Sequence, residues 1–134
     1  MKVTVKVTID KPVDLVWAYY TTPEDIVSWN FASDDWHTPS ARVDLRVGGS
    51  FSSRMEAKDG SAGFDFEGIY TRVIENELLE YEFGDRHALV TFIPSAGSTT
   101  VEVLLETEDE NSVELQREGW QAILDNFKEF AESK

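Results

Sequence analysis

The stretch Ser50-Phe51-Ser52-Ser53-Arg54-Met55-Glu56-Ala57-Lys58-Asp59-Gly60-Ser61-Ala62-Gly63-Phe64-Asp65-Phe66-Glu67-Gly68-Ile69-Tyr70 decides how this chain folds. Its two arms alternate apolar and polar residues with the period of a β-strand, and the segment from Lys58 to Gly63 carries turn-forming residues. A hairpin closed over Asp59 to Ala62 pairs Ala57 with Phe64, Met55 with Phe66, Ser53 with Gly68 and Phe51 with Tyr70. That face is almost wholly apolar. The opposite face sets Arg54 against Glu67 and Ser52 against Ile69, the mixed composition of a solvated surface. Glu56 then falls opposite Asp65, a like-charge pair that counts against this register.

Outward from this hairpin the same face stays apolar. A loop over Glu75 to Leu78 pairs Ile74 with Leu79 and Tyr70 with Phe83. A tight turn at Asp85-Arg86 sets Phe83 opposite Ala88, Tyr81 opposite Val90 and Leu79 opposite Phe92. Pro94-Ser95-Ala96-Gly97 turns again into Val101, Val103 and Leu105. Slipping any strand by one residue would invert its faces, so the agreement between strands is a stringent test. Arg72 is the misfit, and a bulge near Gly68 would re-aim it.

Upstream, Lys2 to Ile9 reads as a strand with Val3, Val5, Val7 and Ile9 on one face. Pro12 suits a helix's first turn with Asp10 capping from just before, which predicts a short helix from Val13 to about Tyr20. Thr22-Pro23-Glu24-Asp25 restarts a second through Ile26 and Val27. The chain from Trp29 to Pro39 reads as loop. It holds Trp29, Phe31 and Trp36, more aromatic surface than a solvated loop carries, so part of it should be buried. The last element is a helix, capped by Asn111 with Glu114 or by Ser112. Trp120, Ile123, Leu124, Phe127, Phe130 and Ala131 repeat along it at helical spacing. The order of elements predicts an α+β fold in one domain, residues 1–134, with a long C-terminal helix across a curved antiparallel sheet.

Composition narrows the function classes. With 12 Lys and Arg against 26 Asp and Glu, the net charge is −14. Such a surface repels phosphate backbones and anionic headgroups, so neither nucleic acid nor a membrane is expected as partner, and a basic protein stays open. The chain has no cysteine, which excludes disulfides, thiol catalysis and thiolate metal sites. No apolar run approaches a membrane span, and the N-terminal alternation is unlike a signal peptide, so a cytoplasmic location is expected.

Few residues offer chemistry. His37 in Asp34-Asp35-Trp36-His37 matches no metal-site spacing, and His87 beside Asp85-Arg86 reads as a hairpin-end residue. Neither has a Ser or Cys in a nucleophile context. Gly48-Gly49 lacks the third glycine and following helix of a dinucleotide fingerprint and reads as a hairpin turn. Glu106-Thr107-Glu108-Asp109-Glu110 reads as a solvated connection. No metal and no cofactor is expected.

Three segments sharpen this outline: Asp44-Leu45-Arg46-Val47-Gly48-Gly49-Ser50-Phe51, Gly63-Phe64-Asp65-Phe66-Glu67-Gly68-Ile69-Tyr70, and Gly119-Trp120-Gln121-Ala122-Ile123-Leu124-Asp125-Asn126-Phe127. With them the chain resembles the bacterial branch of the START-like (SRPBCC) superfamily, the homologues of the activator of the ninety-kilodalton heat-shock protein ATPase. The resemblance implies a helix-grip fold with a cavity between sheet and terminal helix. In that cavity Trp29, Phe31 and Trp36 would meet Phe51, Met55, Phe64, Phe66, Tyr70, Tyr81, Phe83 and Phe92 from the sheet. Trp120, Leu124 and Phe127 would close it from the helix. Aromatic faces and a flexible Met suit flat apolar ligands, and Tyr or Trp tips can orient them.

The expected role is therefore binding or carriage of a small, mostly apolar molecule, aromatic polyketide-like or lipid-like. A cyclase or hydrolase using the same pocket would need a titratable group inside it, for which Arg72 and Tyr81 are the candidates. An accessory regulator of a chaperone ATPase would act through its surface instead.

Overall fold

Val3, Val5 and Ile9 leave water together, and β1 (Lys2–Ile9), which carries them, takes one edge of a seven-stranded antiparallel sheet. The computed structural model describes residues 1–134. After β1 come α1 (Val13–Thr21) and α2 (Pro23–Ile26), then β2 (Trp36–Val43), β3 (Ser50–Ala57), β4 (Gly63–Ile74), β5 (Leu78–Phe83), β6 (Arg86–Ser95) and β7 (Ser98–Glu106). The final helix, α3, spans Val113–Glu132. Strand order is β1-β7-β6-β5-β4-β3-β2, so each strand from β2 to β7 pairs with its sequence neighbour and β1 closes onto β7. This is the α+β helix-grip arrangement, a curled half-barrel of strands holding the terminal helix.

One core runs through it. Val101, Val103 and Leu105 of β7 and Val90 of β6 are fully buried, as are Phe127 and Ala131 of α3. Burying a Val, Leu or Phe side chain contributes roughly 1.5–3 kcal/mol each, and this face supplies most of the apolar area removed from water. α3 is gripped unevenly. Its buried residues are Leu124, Phe127 and Ala131, all in its C-terminal half.

The faces agree with the sequence reading except at Ile74, but the registers of three hairpins do not. Met55 pairs with Phe64, Ser53 with Phe66 and Phe51 with Gly68, two residues from the expected pairing. The longer turn places Glu56 opposite Gly63 and Arg54 opposite Asp65, which removes the like-charge pair and corrects the Arg54–Glu67 pairing. Arg54 then bonds Glu56 at 2.9 Å and reaches Asp65 at 3.5 Å. The β5–β6 hairpin is also displaced by two, with Tyr81 opposite Ala88 and Leu79 opposite Val90. Its two-residue loop is Gly84-Asp85, and Gly84 adopts φ 64°, which only glycine takes readily.

At β4–β5 the turn is one residue shorter than expected, with Asn76 at φ 64°, so Ile74 pairs with Leu78 and points outward. A bulge between Tyr70 and Arg72 then restores the inward face at Tyr70. The bulge sits beyond Gly68, and it turns Arg72 outward, opposite Glu80 at 3.8 Å.

Three further expectations are corrected. The end of the expected loop, residues 36–39, instead begins β2, an edge strand whose register shifts around Pro39, where the missing N–H breaks no necessary bond. Ser112, not Asn111, caps α3 by accepting from the Leu115 N–H at 3.1 Å. Asp10 does not cap α1; its N–H donates to Glu132 Oε2 at 2.8 Å. That bond belongs to a set by which α3 covers the free edge of β1. The Gln121 amide meets both the N–H and the carbonyl of Lys6, at 3.4 and 3.0 Å, as a neighbouring strand would. Lys128 donates to the Thr8 carbonyl. An edge engaged in this way is a poor template for another strand.

Candidate ligand cavity

The fully buried residues of α3 lie in its C-terminal half, and the space beside Trp120, Ile123 and Leu124 is incompletely filled. A cavity of about 60 Å³ lies there, walled by Phe51, Phe66, Tyr70, Leu79 and Tyr81 from the sheet. Tyr20, Ile26, Trp29 and Asn30 close it from α1, α2 and the loop after them, and Trp120, Ile123 and Leu124 from α3. Ser53, Arg42 and Val43 complete the lining.

The rings pack in edge-to-face and tilted pairs. Phe51 stands 4.9 Å from Tyr81 and 5.2 Å from Tyr70, and Phe66 5.8 Å from Trp120. Trp29 is fixed by an indole N–H donated to the Tyr19 carbonyl at 3.2 Å and lies 5.0 Å from Tyr20. Gly68 makes the Phe51 position possible: a Cβ there would meet the Phe51 ring at 2.7 Å and the Glu82 carbonyl oxygen at 2.4 Å.

The polar content of the cavity is concentrated in hydroxyls. Tyr70 and Tyr81 are 6% and 5% exposed. No hydrogen bond contributes to the environment of the Tyr20, Tyr70 or Tyr81 phenol, yet no side-chain oxygen of the chain is sealed away without a partner. The three hydroxyls therefore open onto the void. Burial raises all three pKa values, since a phenolate would lose its hydration there, and the phenols' proximity adds to the rise at Tyr20 and Tyr81. At neutral pH they are neutral groups with protons to donate.

A second, more open depression of about 390 Å³ adjoins the first. It is lined by Trp36, Met55 and Phe64 on one side and Leu115, Gly119, Trp120 and Ile123 on the other. Trp120 and Ile123 border both spaces and form the partition between them.

The aromatic set named from sequence thus divides. Trp29, Phe51, Phe66, Tyr70, Tyr81, Trp120 and Leu124 line the smaller cavity, while Trp36, Met55 and Phe64 line the groove. Four lie elsewhere. Phe92 packs on Trp17 at 5.1 Å, and Phe127 stands behind Trp29 at 4.8 Å. Phe83 backs Phe66 at 5.6 Å, and the half-buried Phe31 offers its carbonyl to Asn126. Arg72, one of two titratable candidates, faces away from the cavity, and Tyr81, the other, lines it.

The sequence reading missed Tyr20, Asn30, Arg42 and Ser53. Tyr20 sits at the end of a helix whose periodicity marks only its buried side, and Ser53 alternates correctly but looked like an ordinary small residue. Arg42 forms none of the chain's ion pairs. His37 lies in β2 at 3.9 Å from Glu56. His87 bridges two strands, with Nδ1 2.9 Å from Glu106 and Nε2 3.2 Å from Glu82. No group of three or more His, Cys, Asp or Glu is arranged to hold a metal ion. No helix is long and apolar enough to cross a membrane.

A curled sheet closed on a terminal helix, with an apolar cavity between them, defines the START-like class of proteins. Within it, residues 10–132 match the family described as Activator of Hsp90 ATPase homolog 1-like protein, and the chain belongs to that family. It is similar to the AHSA1-like protein of Aeromonas hydrophila, known from a solution NMR structure, with 42% identity and a TM-score of 0.93. The match covers 99% of this chain and 93% of that one. A protein of Cytophaga hutchinsonii is 43% identical with a TM-score of 0.85, over 98% of this chain and 92% of that one. A Nitrosomonas europaea protein shares the fold at 22% identity and TM-score 0.84, over 99% and 95% of the two chains. Comparison with curated proteins gave no match.

Proposed function

We propose that this protein binds a small, mostly apolar molecule, aromatic or lipid-like, in the cavity beneath α3 and the groove that adjoins it. The observation that carries this reading is the unpartnered tyrosine hydroxyls facing an apolar void. A void serving only as a packing defect has apolar walls and stays dry, whereas oriented polar groups in an apolar wall are the construction of a ligand site. The cavity alone is too small. An engineered cavity of about 150 Å³ takes benzene, so 60 Å³ admits less than one ring, and the ligand reaches its full volume only when Trp120 and Ile123 give way to the groove.

Charge supports the same direction. A net charge of −14 disfavours nucleic acid and anionic membranes as partners, and the lack of cysteine suits a reducing cytoplasm. The test is amide chemical-shift perturbation against flavonoids, polyketide-like aromatics, sterols and fatty acids. Saturable shifts centred on Trp29, Phe51, Phe66 and Trp120 are expected. A folded protein that shows no shift with any soluble member of the panel overturns the reading.

A further inference from the structure

We infer that Tyr20, Tyr70 and Tyr81 form a donor pole that takes one neutral carbonyl oxygen of the ligand, whose apolar body extends past Trp120 into the groove. This rests on the binding role proposed above and specifies the chemistry of its buried end. Tyr70 and Tyr81 come from paired positions on β4 and β5, with ring centroids 6.5 Å apart and planes at 89°. Tyr20 reaches the same space from α1. Each phenol has one proton to give, and none gives it to the protein. A carbonyl oxygen has two lone pairs, so it accepts from two of the hydroxyls that border the space.

The alternatives fit less well. A carboxylate would enter a wall without a buried cation, in a chain of net charge −14, and pay its desolvation without an ion pair; Arg42 at the rim is exposed. A hydrocarbon would leave three hydroxyls dehydrated and unbonded. Size sets the rest of the ligand. The 60 Å³ cavity holds a carbonyl head and little more, and the 390 Å³ groove beyond the Trp120 partition is lined by Trp36, Met55 and Phe64.

Three matched probes test this: 4-acetylbiphenyl, 4-isopropenylbiphenyl, in which CH₂ replaces the oxygen, and biphenyl-4-carboxylate. Each is titrated by NMR and tryptophan fluorescence into the wild type, Tyr70→Phe and Tyr81→Phe, all checked for folding by circular dichroism. The ketone should bind about tenfold tighter than the alkene, with the carboxylate weaker than the ketone. Either Phe variant should lose about tenfold for the ketone and change alkene affinity less than about twofold, because the ring is retained. Equal binding of ketone and alkene, equal losses for both in the variants, or tightest binding of the carboxylate overturns the donor pole while leaving apolar binding intact. Absence of saturable binding by all three overturns it together with the binding reading.

Discussion

Replacing Gly68 by Ala should destabilise the protein and shrink the cavity in one step. The added Cβ would stand 2.4 Å from the Glu82 carbonyl oxygen and 2.7 Å from two carbons of the Phe51 ring, against 3.4–4 Å for ordinary contact. The carbonyl belongs to a paired strand and gives little, so the β4 backbone must shift away from it while the ring yields by about 1 Å, into the void it lines. Overpacking of this kind costs about 1–3 kcal/mol, offset by about 0.4–1 kcal/mol from the lower chain entropy of unfolded Ala. The net loss is about 1–2 kcal/mol. With an unfolding entropy of about 2.1 cal/mol/K per residue over 134 residues, Tm falls by about 4–7 °C.

Gly119→Ala is the internal control. It lies in α3 with nothing within 4 Å of the point where the added methyl would stand, so the same substitution should raise Tm by about 2–4 °C through helix propensity. Calorimetry of the three proteins decides the matter. A Gly68→Ala Tm equal to or above wild type would refute the reasoning, as would a fall of the same size at Gly119.

Phe127, fully buried between Tyr20 and Trp29, should cost about 3–5 kcal/mol when changed to Ala, read by urea unfolding, and a loss under about 1 kcal/mol would contradict its central place. Trp120→Ala removes the partition and should speed association of an apolar ligand about tenfold in stopped flow, equivalent to about 1.4 kcal/mol of barrier; an unchanged rate would mean access by another route. His87 has both ring nitrogens on carboxylates, and its hydrogen bonds to Glu106 and Glu82 raise its pKa by favouring the imidazolium. A raised pKa stabilises below the ordinary value of 6.5 and the gain disappears as pH climbs through the folded value. The Tm advantage of wild type over His87→Gln should therefore be greatest near about pH 6 and vanish in alkali; an advantage that grows with pH would reverse the assignment. Glu106, whose pKa His87 lowers, limits the same bridge on the acid side, where its contribution is lost as pH falls through the lowered value. Arg54→Met should move Tm by less than about 3 °C in the same melts, since Arg54 and its two carboxylates are all more than a third exposed, and a larger fall would show a buried role.

What the sequence determined by itself was which residues face inward. Val3, Val5 and Ile9, Leu79, Tyr81 and Phe83, and Val101, Val103 and Leu105 all lie on the buried face, because a one-residue slip would put each set in water. A two-residue slip carries no such penalty. Met55 meets an aromatic partner at Phe66 or at Phe64, and Ala88 sits equally well against Phe83 or Tyr81, so alternation could not choose between them. Turn geometry chose, through the two-residue loop at Gly84-Asp85 and the longer one before Gly63. The bulge that turns Arg72 out and Tyr70 in is likewise a three-dimensional solution, for which the misplaced Arg was only a symptom.

The cavity was less legible still. An aromatic residue has the same pattern in sequence whether it fills the core, as Phe92 and Phe127 do, or lines a space, as Phe51 and Trp120 do. The difference is a matter of where the helix is placed. It depends on α3 burying Leu124, Phe127 and Ala131 while Trp120 and Ile123 border a gap. The convergence of Tyr20 with Tyr70 and Tyr81 joins residues far apart in the chain, and only the closing of the sheet around the helix brings them to one cavity.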